Sequence, residues 1–241
     1  MKNKLKFVEY HLPCPSCNSS DALSLNENGS AKCFSCGKFF SKYNSNEEIR
    51  SDVVDFKDIN GGIYAPLSDR YISQQTAEKY RVKSIFNSQG VITQHLYPYY
   101  IHNELTATKI RTIKDKDFIW KGSSTGTGLF GQNLFKEGGK YITITEGECD
   151  AMAAYELLGS KWAVVSIKHG APSAVTNIKE NLEYIESFDN VVICFDSDKE
   201  GQQAAVKVAR ILKPGKAKIL TLPTGFKAVS YTHLTLPTNR E

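Results

Sequence analysis

No run of about eighteen apolar residues occurs anywhere in the sequence, so no membrane-spanning helix is expected. The basic start, Met1-Lys2-Asn3-Lys4-Leu5-Lys6, is not followed by an apolar core. A secretory leader is therefore not expected, and a cytoplasmic setting is. The phosphate-cradling pattern G-x-x-x-x-G-K-[ST] is missing, which argues against an NTP-driven motor. Its nearest approach, Gly122-Ser123-Ser124-Thr125-Gly126-Thr127-Gly128, lacks the lysine and reads as an ordinary mobile loop. A strong charge of one sign is also lacking. The net charge of +4 allows a polyanionic partner without requiring one. What remains is 241 residues with 41% apolar content, enough for one large domain or for two small ones and a linker.

Six cysteines in a chain without an export signal point to metal ligands before disulfides. Four of them form two C-x2-C pairs, Cys14/Cys17 and Cys33/Cys36, separated by fifteen residues. Each pair can turn both thiolates toward one ion, and together they complete a tetrahedral zinc site of four thiolates. The residues between are short, polar and strand-like, with Asn26-Glu27-Asn28-Gly29 as a hairpin turn. Residues 1–40 thus read as a β-rich zinc ribbon in which the metal stands in for a core. Lys32, Phe34, Lys38, Phe39 and Phe40 mix cations with aromatics, which suits single-stranded nucleic acid. Packing of Phe34 and Phe39 into the ribbon's own core is the alternative.

Residues 41–57 are polar and aperiodic and read as a linker. A mixed α+β segment follows over 58–139. Ser73 caps a short helix running to about Tyr80, and Gly90–Thr93 and Leu96–Tyr100 read as strands. Between Lys109 and Lys121 lie five cations and two acids. Lys109 and Arg111 alternate with Ile110 and share one strand face. Such a face holds a triphosphate or a nucleic-acid backbone, or else is a lysine-blunted sheet edge.

From residue 140 strands and helices alternate: strand 141–145, helix 148–158, strand 162–167, helix 173–187, strand 190–195, helix 199–212 and strand 216–222. That order with short loops implies an α/β domain with a parallel sheet. Thr145-Glu146-Gly147-Glu148-Cys149-Asp150 follows the first strand, and Asp196-Ser197-Asp198 follows the third. Both acidic groups then lie at the carboxyl edge of the sheet, where ligands bind in open α/β folds. Clustered carboxylates repel one another unless a proton or cation intervenes, and a hard cation such as Mg2+ suits oxygen ligands. Glu148 and Asp198 also stand where helix caps belong. His169 lies on the same edge, either touching phosphate or making ordinary loop contacts. Cys149 and Cys194 read as small core residues.

Glu146-Gly147-Glu148-x-Asp150, then Asp196-x-Asp198 with Gly201 close behind, resembles the Toprim domain of bacterial-type primases, topoisomerases and some nucleases. Together with the four-cysteine ribbon, residues 5–227 resemble the primase half of phage bifunctional primase–helicases. His11-Leu12-Pro13-Cys14, Lys109-Ile110-Arg111, Leu129-Phe130-Gly131 and Phe195-Asp196-Ser197-Asp198 stand where that family has similar strings. The resemblance implies RNA primer synthesis from ribonucleoside triphosphates on a single-stranded DNA template, with a helicase domain following in the full-length protein. It implies a structural Zn2+ on Cys14, Cys17, Cys33 and Cys36, and a catalytic Mg2+ on Glu146, Asp196 and Asp198. Lys109, Lys116, Arg111, His169 and Lys227 become nucleotide or DNA contacts, with Lys109 and Lys116 near the reacting nucleotide. No strand-cleaving tyrosine domain accompanies the fold, which disfavours the nuclease and topoisomerase branches.

Two departures stand out. Ser30 occupies the place, just after the turn glycine, where a well-known member has a template-reading histidine. Lys227 is followed by Ala228-Val229, where the family has a Lys-Asp pair whose Asp completes the acidic site. Residues 228–241 read as translated adaptor sequence rather than native chain, and the chain as a C-terminally truncated copy. A catalytically impaired, DNA-gripping fragment is the alternative function.

Overall fold

The computed structural model describes residues 6–14, 19–35, 39–40, 42–43, 62–115, 117–223, 225 and 227–230. Cys17, Cys36, Lys116 and most of the expected linker lie outside these residues.

The N-terminal module is an antiparallel sheet of β1 (Phe7–Leu12), β2 (Leu23–Asn26), β3 (Ala31–Cys33) and β4 (Phe39–Phe40), in that order. The expected hairpin turn is present. Gly29 takes φ +80° and donates its N–H to the Asn26 carbonyl at 2.9 Å, a left-handed conformation that glycine adopts without strain. The buried core consists of Cys14, Leu23, Ala31 and Cys33, with Phe40 and Tyr43 packed partly against it. Phe34 and Phe39 are 61% and 57% exposed, so they lie outside that core.

Ser73 caps α1 (Gln74–Lys79) as expected, its hydroxyl accepting from the Thr76 N–H at 3.2 Å. A second antiparallel sheet follows: β5 (Lys83–Phe86), β6 (Ile92–Ile101), β7 (Glu104–Thr112) and β8 (Phe118–Gly122), again in chain order. The two strands read separately at 90–93 and 96–100 are one continuous strand. It accommodates Pro98 because β5 begins opposite Leu96, which leaves Pro98 paired with Thr108 of β7 alone, as on an edge strand. His102 and Asn103, both at positive φ, turn β6 back into β7, and that paired left-handed geometry matches the twist of a two-residue hairpin.

The third sheet contains β9 (Gly139–Thr145), β10 (Ala163–Ser166), β11 (Phe188–Cys194) and β12 (Ala217–Ile219). Its order is β10-β9-β11-β12, and every pair is parallel. Its helices are α2 (Glu148–Leu157), α3 (Ala174–Glu180), α4 (Leu182–Glu186) and α5 (Lys199–Ala209). The single helix expected over 173–187 is two helices. Asn181 interrupts it, turning its side-chain amide onto the Asn177 carbonyl at 2.9 Å, the backbone competition asparagine is prone to.

Register positions the site. Thr145 stands opposite Ser166 on one side and Cys194 on the other, so three strands end level. One face of this sheet packs a core of Ile142, Ile144, Val165, Ile167, Ile193 and Val208 among others. The other face is covered by α2, which is buried almost all round because the β5–β8 sheet packs on its far side.

Candidate active site: carboxylates and a buried lysine around one cavity

A cavity of about 1130 Å3 opens at the level strand ends. One wall holds Glu146 and Gly147 from the turn after β9, Glu148 and Asp150 from the first turn of α2, and Asp196 from the turn after β11. A second holds Lys109, Phe118, Ile119 and Trp120 from β7 and β8, with Ser123, Ser124 and Thr125 of the glycine-rich loop. Lys168, His169 and Gly170 close the end after β10, and Ser19, Ser20, Asp21 and Ser35 of the N-terminal sheet form the remaining side.

The carboxylates are held in different ways. Glu146 Oε1 accepts from the Ala171 N–H at 3.1 Å and Oε2 from the Asp196 N–H at 3.4 Å, so this side chain ties together the turns after β10 and β11. Its pKa is raised, chiefly by burial, and those two N–H groups oppose the rise. Asp196 is pushed up to about 7, first by burial and then by the negative charges of Asp150, Glu146 and Asp198. Asp150 is raised too, mainly by burial, although the Ser230 N–H donates to it at 2.8 Å. Asp198 caps α5, its Oδ1 accepting from the Gly201 N–H at 3.0 Å, while Oδ2 faces Lys227 at 3.6 Å. Gly201 is what lets α5 start there, because a methyl group at that position would collide with the Asp196 carbonyl.

Glu148 is not a surface dipole partner. It is buried, and its Oε1 accepts from Lys109 Nζ at 2.7 Å and from the Tyr99 hydroxyl at 2.6 Å. Lys109 Nζ also donates to the Lys168 carbonyl at 2.9 Å and lies 4.5 Å from the Phe118 ring centre. Two of its three N–H groups are thus engaged, leaving one for a ligand. Arg111 shares the Lys109 face, as the alternation predicts, but is buried behind the cavity wall. Its Nη1 reaches Cys149 Sγ at 3.9 Å, and its Nε has no hydrogen-bond partner among the described residues. His169 lies against Trp120, with ring centres 5.0 Å apart and planes tilted by 50°, and is pushed down to about 4 by burial, Lys109 and Lys168. It is therefore a neutral imidazole near pH 7. Cys149 and Cys194 are buried, with thiols pushed up to about 11 and about 12 by burial, as expected of core residues.

Glu146 and Asp196 line the cavity together, whereas Asp198 stands beside it as a cap. Among the described residues, no three His, Cys, Asp or Glu side chains converge into a metal-ligating set. The expected convergence of Glu146, Asp196 and Asp198 on one point is therefore not seen. Glu146 spends both oxygens on backbone N–H groups and Asp198 spends one on its helix. The donor chemistry nevertheless fits a hard divalent cation. Burial and three neighbouring carboxylates raise the pKa of Asp196 and Lys227 only partly offsets them, an excess of negative charge that a cation would relieve. In the N-terminal sheet, Cys14 and Cys33, one from each C-x2-C pair, are buried in the same small cluster, as a shared zinc site requires. Ser30 is also buried, with its hydroxyl donating to Asn28 at 2.7 Å and its backbone closing the hairpin turn.

Sequence reading missed Lys168 as a member of the site and named Glu148 and Asp150 only as part of the acidic motif, without a site role. Glu148 and Asp150 sit inside the acidic motif, whose i, i+2 and i+4 spacing was the signal for them. Lys168 had no sequence signal beyond its place next to His169. Ala228, Val229 and Ser230 are buried, and Val229 packs in the core under α2. Residues 231–241 lie outside the described residues.

A level parallel edge bearing Glu146 and Asp196 defines a Toprim-type domain, and a family model described as Toprim-like matches residues 143–230. The bacteriophage T7 primase fragment superposes with a TM-score of 0.66 at 33% identity, covering 95% of both chains. With that coverage by a relative of this identity, the chain belongs to the phage primase–helicase family, and it matches the primase part. The DNA helicase/primase of Enterobacteria phage T3 is 33% identical over 232 residues, and the chain spans 39% of its length. The catalytic domain of a DnaG primase, at 15% identity and a TM-score of 0.51, shares the fold. Among the described residues no helix is long and apolar enough to cross a membrane.

Proposed function

We propose that this chain makes short RNA primers on single-stranded DNA, in the cytoplasm of an infected bacterium, and that a helicase domain follows in the full-length protein. The observation that carries this reading is one cavity with a buried, oriented lysine on one wall and mutually repelling carboxylates on the other. The 3′-hydroxyl oxygen of one nucleotide attacks the α-phosphorus of the next. The bond to the β-phosphate breaks, pyrophosphate leaves, and the hydroxyl proton passes to a carboxylate, for which Glu146 is the candidate. Lys109 offers its remaining N–H to the triphosphate, and neutral His169 offers a hydrogen bond rather than a charge. Lys116, Arg111 and Lys227 add positive potential around the path of the phosphates.

Glu146 and Asp196, with Asp198 beside them, would hold Mg2+, which supplies charge neutralisation at the phosphates when bound. Cys14, Cys17, Cys33 and Cys36 would hold Zn2+ and fix the ribbon. Among the described residues, the ribbon brings three serines and Asp21 to the cavity, and no cation. Such a wall suits a base edge rather than a phosphate, in keeping with template reading. We take residues 1–40 as the ribbon, 41–57 as the linker, 58–139 and 140–227 as the two parts of the polymerising domain, and 228–241 as tail.

A second reading rests on Ala228, which brings no carboxylate to the position after Lys227. In that case the chain grips DNA but polymerises poorly. The deciding test is incorporation of labelled ribonucleotides on mixed-sequence single-stranded DNA with Mg2+, comparing this chain with its Ala228→Asp variant. Short RNA from both supports the primase reading as it stands. RNA from the variant alone supports the impaired form. RNA from neither, with DNA still bound, overturns catalysis.

A further inference from the structure

The glycine-rich loop between β8 and Phe130 carries two glycines at positive φ, Gly122 and Gly126, and on composition alone should be loose. It is instead tied down by one side chain. Lys168 Nζ donates to the Thr127 carbonyl at 3.0 Å and the Ser124 carbonyl at 3.4 Å, and it reaches Glu180 Oε2 at 3.2 Å. Its side chain is 4% exposed. Three N–H groups and three acceptors leave no donor over for a ligand. The backbone of the same residue is fixed at both ends. Its N–H donates to Asn177 Oδ1 at 2.9 Å, and its carbonyl accepts from Lys109 Nζ at 2.9 Å.

We propose that Lys168 is a positioning residue for nucleotide binding. It straps the loop across the cavity so that Ser123, Ser124 and Thr125 form a preset hydroxyl-bearing wall, and it holds no ligand itself. This rests on the reading of the cavity as a nucleotide site. A loop ordered in advance does not have to be ordered by the incoming nucleotide, so affinity rises by the fraction of time the loop is already in place. The expected signature of losing the strap is weaker binding with chemistry little changed, since the carbonyl that steadies Lys109 belongs to the backbone and survives.

Lys168→Met removes the donors and keeps much of the length. Hydrogen exchange of the amides from Ser123 to Gly128 should quicken, while β9 and β11 stay protected. The KM for ribonucleotides and the dissociation constant for ATP with Mg2+ should rise on the order of tenfold, with kcat nearly unchanged. Glu180→Gln, which leaves both carbonyl bonds, should behave like the parent protein, and Lys168→Arg should restore part of the protection. Should Lys168→Met fold poorly, Lys168→Met/Glu180→Gln removes both charges and gives the same readings. Unchanged loop exchange overturns the proposal, as does a fall in kcat with KM unmoved. Loop exchange and ATP binding do not need primer synthesis, so a chain that makes no RNA would refute the function and leave the strap to be judged separately.

Discussion

The antiparallel sheet presents its cation from the middle of a strand, and the parallel sheet presents its carboxylates from turns beyond its strand ends. Lys109 is fixed by register, opposite Tyr97 on one side and Trp120 on the other, and is almost wholly buried. Asp196 is only half covered and is surrounded by charges of its own sign. The cation is therefore part of the fold, satisfied by Glu148 before any substrate arrives. The carboxylates are a load on the fold that a ligand relieves. Removing the first should cost stability and activity together, whereas removing the second should cost activity and relieve strain.

That contrast can be broken most sharply at Asp196. Asp196→Asn should lower primer synthesis on the order of 1000-fold, since a carboxylate that would hold Mg2+ is lost, yet raise the thermal midpoint of the metal-free protein at pH 7. A lower midpoint would mean the cluster is not repulsive. At Lys109 the expectation reverses. Lys109→Met should lose both activity and about 3–5 kcal/mol of stability, because Glu148 is left buried without its cation. Denaturant melts of Lys109→Met/Glu148→Gln should recover most of that loss, and a merely additive result would deny the coupling.

A pH titration probes the same difference without mutation. Asp196 ionises near 3.8 when unfolded and near 7 when folded, so between these values the folded protein binds more protons. The stability of the metal-free protein should fall as pH rises through that window and level off above it, with Mg2+ flattening the fall. A rise across the window would contradict the burial and repulsion assigned to Asp196. The smallest expected effect is at Tyr99. Tyr99→Phe removes one of two donors to Glu148 Oε1 while Lys109 stays, and should cost about 1–2 kcal/mol in melts with activity retained.

The sequence revealed the strand–helix alternation, the common edge of Glu146 and Asp196, the hairpin at Gly29 and the Ser73 cap, because each follows from local pattern or spacing. The partner each side chain chooses was harder to read. Glu148 could have faced solvent at a helix start and instead found Lys109 and Tyr99 across a sheet interface. Asp198 was both motif residue and cap, and spacing does not say how its oxygens divide. Arg111 was placed on the correct face, but α2 lies against that end of the strand and takes it out of the cavity. The glycine-rich loop was read as mobile because its restraint comes from Lys168, some forty residues away in the chain. The break at Asn181 turned on one amide choosing a carbonyl four residues back.

Tyr80 stands at the end of α1, before the Toprim-like stretch begins. Its hydroxyl donates to the Val164 carbonyl of β10 at 2.9 Å, its ring stacks on Phe130, and Gly131 has no side chain to push it away. One core runs from Leu67 through Tyr97 and Phe130 to Met152 and Val164. The segment that can be recognised by itself, 143–230, is thus not a segment that can be transplanted by itself. Lifted out, it would carry α2 with one whole side stripped bare, so a graft or chimera built on this scaffold has to move the preceding sheet along with it.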